Sequence, residues 1–296
     1  MKHSFLRGTG VAIVTPFTKS GKIDENSLRK LVQHLIKGKV EYIVVLGTTG
    51  ESATLDKEEK KQVIQIIKEE NKNKVPLVLG IGGNNTLQLL KDFETYNLSG
   101  FSAILSVSPY YNKPSQEGIY QHYKALASVS PLPIILYNVP GRTSSNIQWQ
   151  TTLRLANDFK NIIGIKEASG NMEQIMKIIA KRPKDFLVIS GDDNLTLPLI
   201  AAGADGVISV VANAYPKRFS EMVHAALKGD FEKARKLHYS LLFFTEQLFA
   251  DGNPGGIKYA LNILGITQPY VRLPLALPNK TVQSEIKKLI QLIGKD

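Results

Sequence analysis

The sequence predicts an α/β fold: a (β/α)8 barrel with a small C-terminal helical extension. Three observations carry this. Eight short apolar runs recur, at residues 10–15, 42–46, 75–80, 103–107, 133–137, 162–166, 186–190 and 206–210. Amphipathic segments alternate with them, at 24–38, 56–71, 86–97, 115–129, 147–158, 171–181, 194–202 and 216–228. Strict alternation of strand and helix signals implies a parallel sheet. Thirdly, neither G-x-G-x-x-G nor G-x-x-x-x-G-K-[ST] occurs. A doubly wound open sheet would carry such a fingerprint near its first turn. Eight units in roughly 230 residues fit the TIM-barrel architecture, which typically takes ~250.

In chain order, the run at 10–15 opens the barrel and Asp24 stands at the N-cap of the first helix. The run at 42–46 supplies the second strand, and the run at 162–166, apolar on both faces and short, reads as a buried one. Asp56 precedes the second helix, Asn85 the third and Ser115 the fourth, each a residue type that accepts from the first free N–H groups. Between them Gly80-Ile81-Gly82-Gly83-Asn84-Asn85 approaches a dinucleotide loop but lacks its third glycine. The later strands and helices repeat the rhythm to Val210. After residue 229 the pattern changes: 230–250, 254–264 and 280–293 read as helices with no further strand. We therefore expect residues 1–229 to form the barrel and 230–296 a C-terminal helical region. The stretch Asn253-Pro254-Gly255-Gly256-Ile257-Lys258 within it is expected to be structural.

A hydrophobic content of 43% and a charged content of 21% fit a globular enzyme with a substantial core. The formal net charge is +11. The lysines are interleaved with acids, as in Asp56-Lys57-Glu58-Glu59-Lys60-Lys61, the pattern of a solvated helix face. No basic run with interleaved aromatics appears, so the excess charge points to anionic small molecules and not to nucleic acid. The chain has no cysteine, which excludes disulfides and thiol nucleophiles. The first residues lack a signal core and no segment has about 18 uninterrupted apolar residues, so neither secretion nor a membrane span is expected. The expected compartment is the cytoplasm.

In such barrels the chemistry lies at the C-terminal ends of the strands. There the sequence sets out Gly47-Thr48-Thr49-Gly50-Glu51-Ser52, Ser108-Pro109-Tyr110-Tyr111-Asn112-Lys113-Pro114, Tyr137-Asn138-Val139-Pro140-Gly141-Arg142-Thr143, Lys166 and Ser190-Gly191-Asp192-Asp193. Lys166 ends an apolar strand, Ile162-Ile163-Gly164-Ile165-Lys166, where a charge is costly unless used, paired with Glu167 or carried out to water. A neutral lysine amine is a nucleophile that forms a Schiff base with a carbonyl. Tyr137, ending the preceding strand, could pass protons beside it or simply cap the strand. The Thr48-Thr49 loop suits an anion, though it also fits an ordinary turn. Arg142 could clamp a carboxylate with two hydrogen bonds or be a surface charge. No histidine pair has ligand spacing, Asp192-Asp193 reads as a loop cap, and no G-x-S-x-G elbow is present. No metal is expected.

These four segments, Gly47–Ser52, Ser108–Pro114, Tyr137–Thr143 and Gly164–Gly170, resemble the dihydrodipicolinate synthase family, in order and spacing, from about Gly8 to the C-terminus. The resemblance implies a carbon–carbon lyase of lysine and diaminopimelate biosynthesis that needs no cofactor. Lys166 would form an imine with pyruvate, whose enamine attacks L-aspartate 4-semialdehyde. Thr49 would hold the pyruvate carboxylate. Tyr137, Thr48 and Tyr111 would relay protons, with Tyr111 reaching into an adjacent subunit. Arg142 would bind the carboxylate of the second substrate, and Gly191 and Ile208 would line the pocket. The family implies a homotetramer, sometimes a dimer. The wider group includes N-acetylneuraminate lyase and 2-keto-3-deoxy sugar-acid aldolases, the alternative reading, and a catalytically inactive barrel is the third. Thr48-Thr49 and Arg142 favour the synthase. A lysine effector cleft is implied at Ser52, Ala53, Asn84 and Tyr110. There Lys57 and Lys60 replace histidines and Gln88 a glutamate, so weak or absent feedback is expected.

Overall fold

The computed structural model describes residues 3–294. Eight parallel strands close into a barrel: β1 (Gly8–Ala12), β2 (Tyr42–Val45), β3 (Leu77–Gly80), β4 (Ala103–Val107), β5 (Ile134–Asn138), β6 (Ile162–Glu167), β7 (Leu187–Ser190) and β8 (Gly206–Ser209). Around them run α1 (Glu25–Lys37), α2 (Lys57–Asn71), α3 (Thr86–Thr95), α4 (Gln116–Val129), α5 (Pro140–Thr143), α6 (Trp149–Asp158), α7 (Met172–Lys181), α8 (Thr196–Ala201) and α9 (Pro216–Leu227). The extension supplies α10 (Phe231–Phe249), α11 (Gly255–Ile263) and α12 (Lys280–Ile293). All four expected N-caps accept as predicted. Asp24, Asp56, Asn85 and Ser115 take the backbone N–H of Ser27, Glu59, Gln88 and Gly118. At Asp56 the Glu59 carboxylate answers with a bond to the Asp56 N–H, completing a capping box.

Nearly every strand residue is buried, because side chains alternate between two apolar environments. Those pointing inward, among them Tyr42, Val44, Leu105, Ile135, Ile163, Ile189 and Ile208, fill the barrel. Those pointing outward join the helices in a second, larger core.

The first strand begins two residues earlier and ends three earlier than the apolar run suggested. Its start is a glycine pairing: Gly8 lies against Gly206, and a Cβ on Gly206 would stand 2.1 Å from the Gly8 carbonyl oxygen. A close glycine–glycine contact leaves no apolar signal. The end is set by Asn213, which accepts from the Val14 N–H at 3.2 Å and donates to the Ala12 carbonyl at 2.9 Å, drawing the chain off the ladder. The four-residue helix α5 was not legible as one. No helix among the described residues is long and apolar enough to cross a membrane.

Candidate active site

Strands β5 and β6 pair with Tyr137 opposite Lys166 and Asn138 opposite Glu167. Alternation then sends the first pair into the barrel and the second outward. Outside, the buried Glu167 carboxylate accepts from Asn138 Nδ2 at 3.0 Å, Gln174 Nε2 at 2.9 Å and the Ser169 N–H at 3.0 Å. Burial still pushes its pKa above the usual carboxylate range, against the pull of those hydrogen bonds. Glu167 is therefore spoken for and turned away, so Lys166 does not pair with it. Asn138 also donates to Asn146 at 2.8 Å and accepts from the Ile147 N–H at 2.9 Å. This polar buckle anchors the two strand ends that carry the inward pair.

Inside, Lys166 is 6% exposed, and its Nζ sits 4.2 Å from the centre of the Tyr137 ring. No acidic group among the described residues forms an ion pair with it. A cavity of about 540 Å³ opens above, lined by Thr48, Thr49, Tyr137, Arg142, Lys166, Gly191 and Asp192 from the barrel and by Thr245, Glu246, Phe249 and Asn253 from the extension. A narrower cavity of about 100 Å³ shares Thr48, Thr49, Tyr137 and Lys166 and runs sideways to Ser52, Lys60, Asp92 and Tyr96. Gly191 provides the room for this: a Cβ there would lie 2.6 Å from Ala168 Cβ and 3.0 Å from Lys166 Cε.

The loop after β2 is held in an unusual shape. Thr48–Gly50 make a 3-10 turn flanked by Leu46 at φ 58° and Glu51 at φ 54°, both in the left-handed region that costs non-glycine residues energy. What holds it comes from the extension. Asn253 Nδ2 donates to Thr49 Oγ1 at 3.0 Å. Lys258, fully buried, pairs with the fully buried Glu51 and donates to the Tyr270 carbonyl at 2.9 Å. Burial pulls the Lys258 ammonium down to about 8, with Glu51 opposing that pull. The Arg272 N–H donates to Glu51 at 2.9 Å, and its guanidinium grips Glu59 with both terminal nitrogens. Composition placed none of these, since Asn253 and Lys258 lie some 200 residues from their partners.

Of the expected site residues, Lys166, Tyr137, Thr48, Thr49, Arg142 and Gly191 meet around the larger cavity. Ile208 belongs to the barrel filling beneath them. Tyr111 does not join them: it is 89% exposed at φ 73° and lines neither cavity. Among the effector-cleft residues, Ser52 and Lys60 line the narrow cavity and Asn84 donates to the Tyr110 carbonyl at 3.3 Å. Ala53, Tyr110, Lys57 and Gln88 line neither, and Gln88 is engaged with Asp92 at 2.9 Å. Asp193 is a loop cap, as its sequence position suggested. It is buried, accepts the Val210 and Val211 N–H groups, and burial raises its pKa to about 6. No group of three or more metal-ligating side chains converges among the described residues.

The model of the Dihydrodipicolinate synthetase family matches residues 5–293. A 4-hydroxy-tetrahydrodipicolinate synthase of Flavobacterium psychrophilum is 54% identical over 288 residues, 97% of this chain and 98% of that protein. One from Parabacteroides distasonis is 49% identical, covering 98% and 97%. Among solved structures, the dihydrodipicolinate synthase of Thermotoga maritima superposes with a TM-score of 0.95 at 39% identity, covering 98% of this chain and 99% of that one. A chloride-inhibited synthase of Acinetobacter baumannii, complexed with pyruvate, reaches 0.95 at 40% identity, covering 98% and 100%.

Proposed function

The chain belongs to the dihydrodipicolinate synthetase family, and from that premise we propose how its residues carry out the synthase reaction, the condensation of pyruvate with L-aspartate 4-semialdehyde in lysine biosynthesis. The observation that carries the scheme is Lys166 beside Tyr137 at the base of a cavity that also holds Thr48, Thr49 and Arg142.

Lys166 attacks the pyruvate ketone. Its nitrogen forms the C–N bond, the carbonyl oxygen leaves as water, and an iminium results. Loss of a methyl proton makes the enamine, whose carbon bonds to the aldehyde carbon of the second substrate while the aldehyde oxygen takes up a proton. Tyr137 and Thr48 pass these protons. The Thr49 hydroxyl, held by Asn253, and the N–H groups of its turn receive the pyruvate carboxylate. Arg142, with no acidic partner among the described residues, receives the carboxylate of the aldehyde substrate. The substrate amine then closes the ring and releases Lys166. Gly191 and Ile208 shape the walls. No metal or cofactor enters this scheme.

Tyr111 completes the relay from a neighbouring copy, a reading supported by its exposure and its left-handed backbone. We accordingly propose a homo-oligomer, a tetramer, working in the cytoplasm, with catalysis in residues 1–229 and loop support from 230–296. Ser52, Ala53, Asn84 and Tyr110 would line an effector cleft that binds lysine weakly, Lys60 adding like charge there. No observation favours the sugar-acid aldolases over the synthase.

Borohydride reduction in the presence of pyruvate tests the core of this. The expected product is a stable adduct mapped by mass spectrometry to Lys166, together with turnover of L-aspartate 4-semialdehyde. An adduct on another lysine, or none, refutes the Schiff-base assignment.

A further inference from the structure

Lys166 and Tyr137 work from inside the barrel. Their chain neighbours Glu167 and Asn138 point outward and have no part in the reaction scheme, yet Glu167 is a carboxylate only 1% exposed. It forms no ion pair among the described residues. An anion withdrawn from water without a cation is costly unless hydrogen bonds replace the water. Here amide N–H groups replace it. Oε1 accepts from Asn138 Nδ2 and from the Ser169 N–H, each at 3.0 Å. Oε2 accepts from Gln174 Nε2 at 2.9 Å and from Asn138 Nδ2 at 3.2 Å.

Both amides are turned toward the carboxylate by what their oxygens do. Asn138 Oδ1 accepts from the Ile147 N–H at 2.9 Å, and Gln174 Oε1 from Asn146 Nδ2 at 2.9 Å. Among the described residues, every hydrogen-bond partner of the Glu167 side chain is thus a donor. A protonated acid would bring an O–H with no acceptor facing it. Burial pushes the Glu167 pKa up and the hydrogen bonds pull it down. The all-donor surroundings fit the ionised form.

The donors come from separate elements: Asn138 from β5, Ser169 from the loop after β6 and Gln174 from α7. The Glu167 carbonyl adds the end of β7, accepting from the Gly191 N–H at 2.7 Å. One residue therefore ties the ends of β5, β6 and β7 together. Those same ends present Tyr137, Lys166 and Gly191 to the larger cavity. Alternation couples the two faces, since a strand end that shifts carries its inward side chain with it. Resting on the synthase reading, we propose that Glu167 is a positioning residue for the first chemical step: through Asn138 and Gln174, its carboxylate fixes the placement of Tyr137 beside Lys166 in which the imine forms.

Glu167→Gln keeps the size of the side chain and removes one acceptor. Wherever its NH2 sits, it meets Asn138 Nδ2 and one of the other two donors. Asn138 must then give way, and Tyr137, its neighbour on β5, moves with it. A displacement of about 1 Å at a reacting group costs on the order of 100-fold in rate. Gln174→Met is the milder change: it removes one donor and leaves the carboxylate on Asn138 and Ser169. The exchange Glu167→Gln/Gln174→Glu reverses the 2.9 Å bond and returns a carboxylate to the network.

The readout is the single-turnover rate at which the borohydride-trappable pyruvate adduct forms on Lys166, taken per folded molecule, with the melting temperature measured alongside. Glu167→Gln should form the adduct about 10- to 100-fold more slowly, and Gln174→Met about three- to ten-fold more slowly. The exchange variant should recover to within about five-fold of the wild-type rate. A carboxylate that merely stabilises the barrel would lower the melting temperature and leave the rate per folded molecule unchanged. That result overturns the assignment, as does an exchange variant no faster than Glu167→Gln. Where Glu167→Gln fails to fold, Gln174→Met carries the test, and a wild-type rate there overturns the assignment too. A wild-type protein that traps no pyruvate fails the underlying Schiff-base reading instead and takes the proposal with it.

Discussion

Replacing Gly191 by alanine isolates what room around Lys166 is worth. The added Cβ would stand 2.6 Å from Ala168 Cβ, 3.0 Å from Lys166 Cε and 3.2 Å from the Glu167 carbonyl oxygen. Ordinary carbon contacts lie at about 3.5–4.0 Å, so the first must open by roughly 1 Å. The backbone resists: the Ala168 N–H is bonded to Asn138 O at 2.8 Å and the Gly191 N–H to Glu167 O at 2.7 Å. The lysine end is the softer partner and swings off its line. Overpacking of this kind costs about 1–3 kcal/mol of stability. A displacement of about 1 Å at a reacting atom costs on the order of 100-fold in rate, or about 2.7 kcal/mol of barrier. The expected variant is folded, slightly less stable, and about 100-fold slower in forming the borohydride-trappable pyruvate adduct under single-turnover conditions. A well-folded Gly191→Ala protein that forms the adduct at the wild-type rate would refute the argument that this glycine keeps the lysine in place.

Three further outcomes follow from the same geometry. Lys258→Met leaves Glu51 charged and buried, so denaturant unfolding should show a loss of about 3–5 kcal/mol, partly restored in the Lys258→Met/Glu51→Gln double variant; a loss under about 1 kcal/mol would mean that water reaches the pair. Burial lifts the Asp193 carboxyl to about 6, from an ordinary 3.8. The folded protein therefore holds more protons than the unfolded chain between these values, and this group's contribution to stability falls as pH rises from about 4 to about 6. Asp193→Asn should flatten that part of the Tm–pH curve, and an unchanged slope would assign it to other groups. Lysine should inhibit weakly, with half-inhibition above about 1 mM, because Lys60 on the narrow cavity opposes a cationic effector; sub-millimolar inhibition of the purified enzyme would contradict this.

The barrel was legible because each strand is buried on both faces and must be written in a short apolar run. The helices were legible from their caps, because Asp24, Asp56, Asn85 and Ser115 do their work within three residues of themselves. The meeting of Tyr137 and Lys166 at one end of the barrel was legible because strand ends can be located from strand runs, and the two are paired by register. Illegible were contacts whose two halves lie far apart in the chain. Asn253 with Thr49 and Lys258 with Glu51 have no local pattern: each residue read alone is an ordinary loop amide, a helix lysine or a turn glutamate. Gly191 was read as lining the pocket, but what its missing Cβ does shows only once Ala168 and Lys166 are in place.

These long-range contacts also explain why a barrel should carry a helical extension at all. The turn that faces Lys166 is bounded by two left-handed non-glycine residues, Leu46 and Glu51, a conformation that costs of order 1–3 kcal/mol each. Glycines could have made the same turn without strain, but a glycine at position 51 would have no carboxylate. The carboxylate lets Lys258 and the Arg272 N–H hold the loop from outside the barrel. Asn253, from the same region, fixes the hydroxyl of Thr49. The shape of the turn beside Lys166 is thus set from outside the barrel, by Asn253, Lys258 and Arg272. Variants in α11 that loosen the Lys258 grip should therefore lower the affinity for pyruvate together with the stability held in the buried pair.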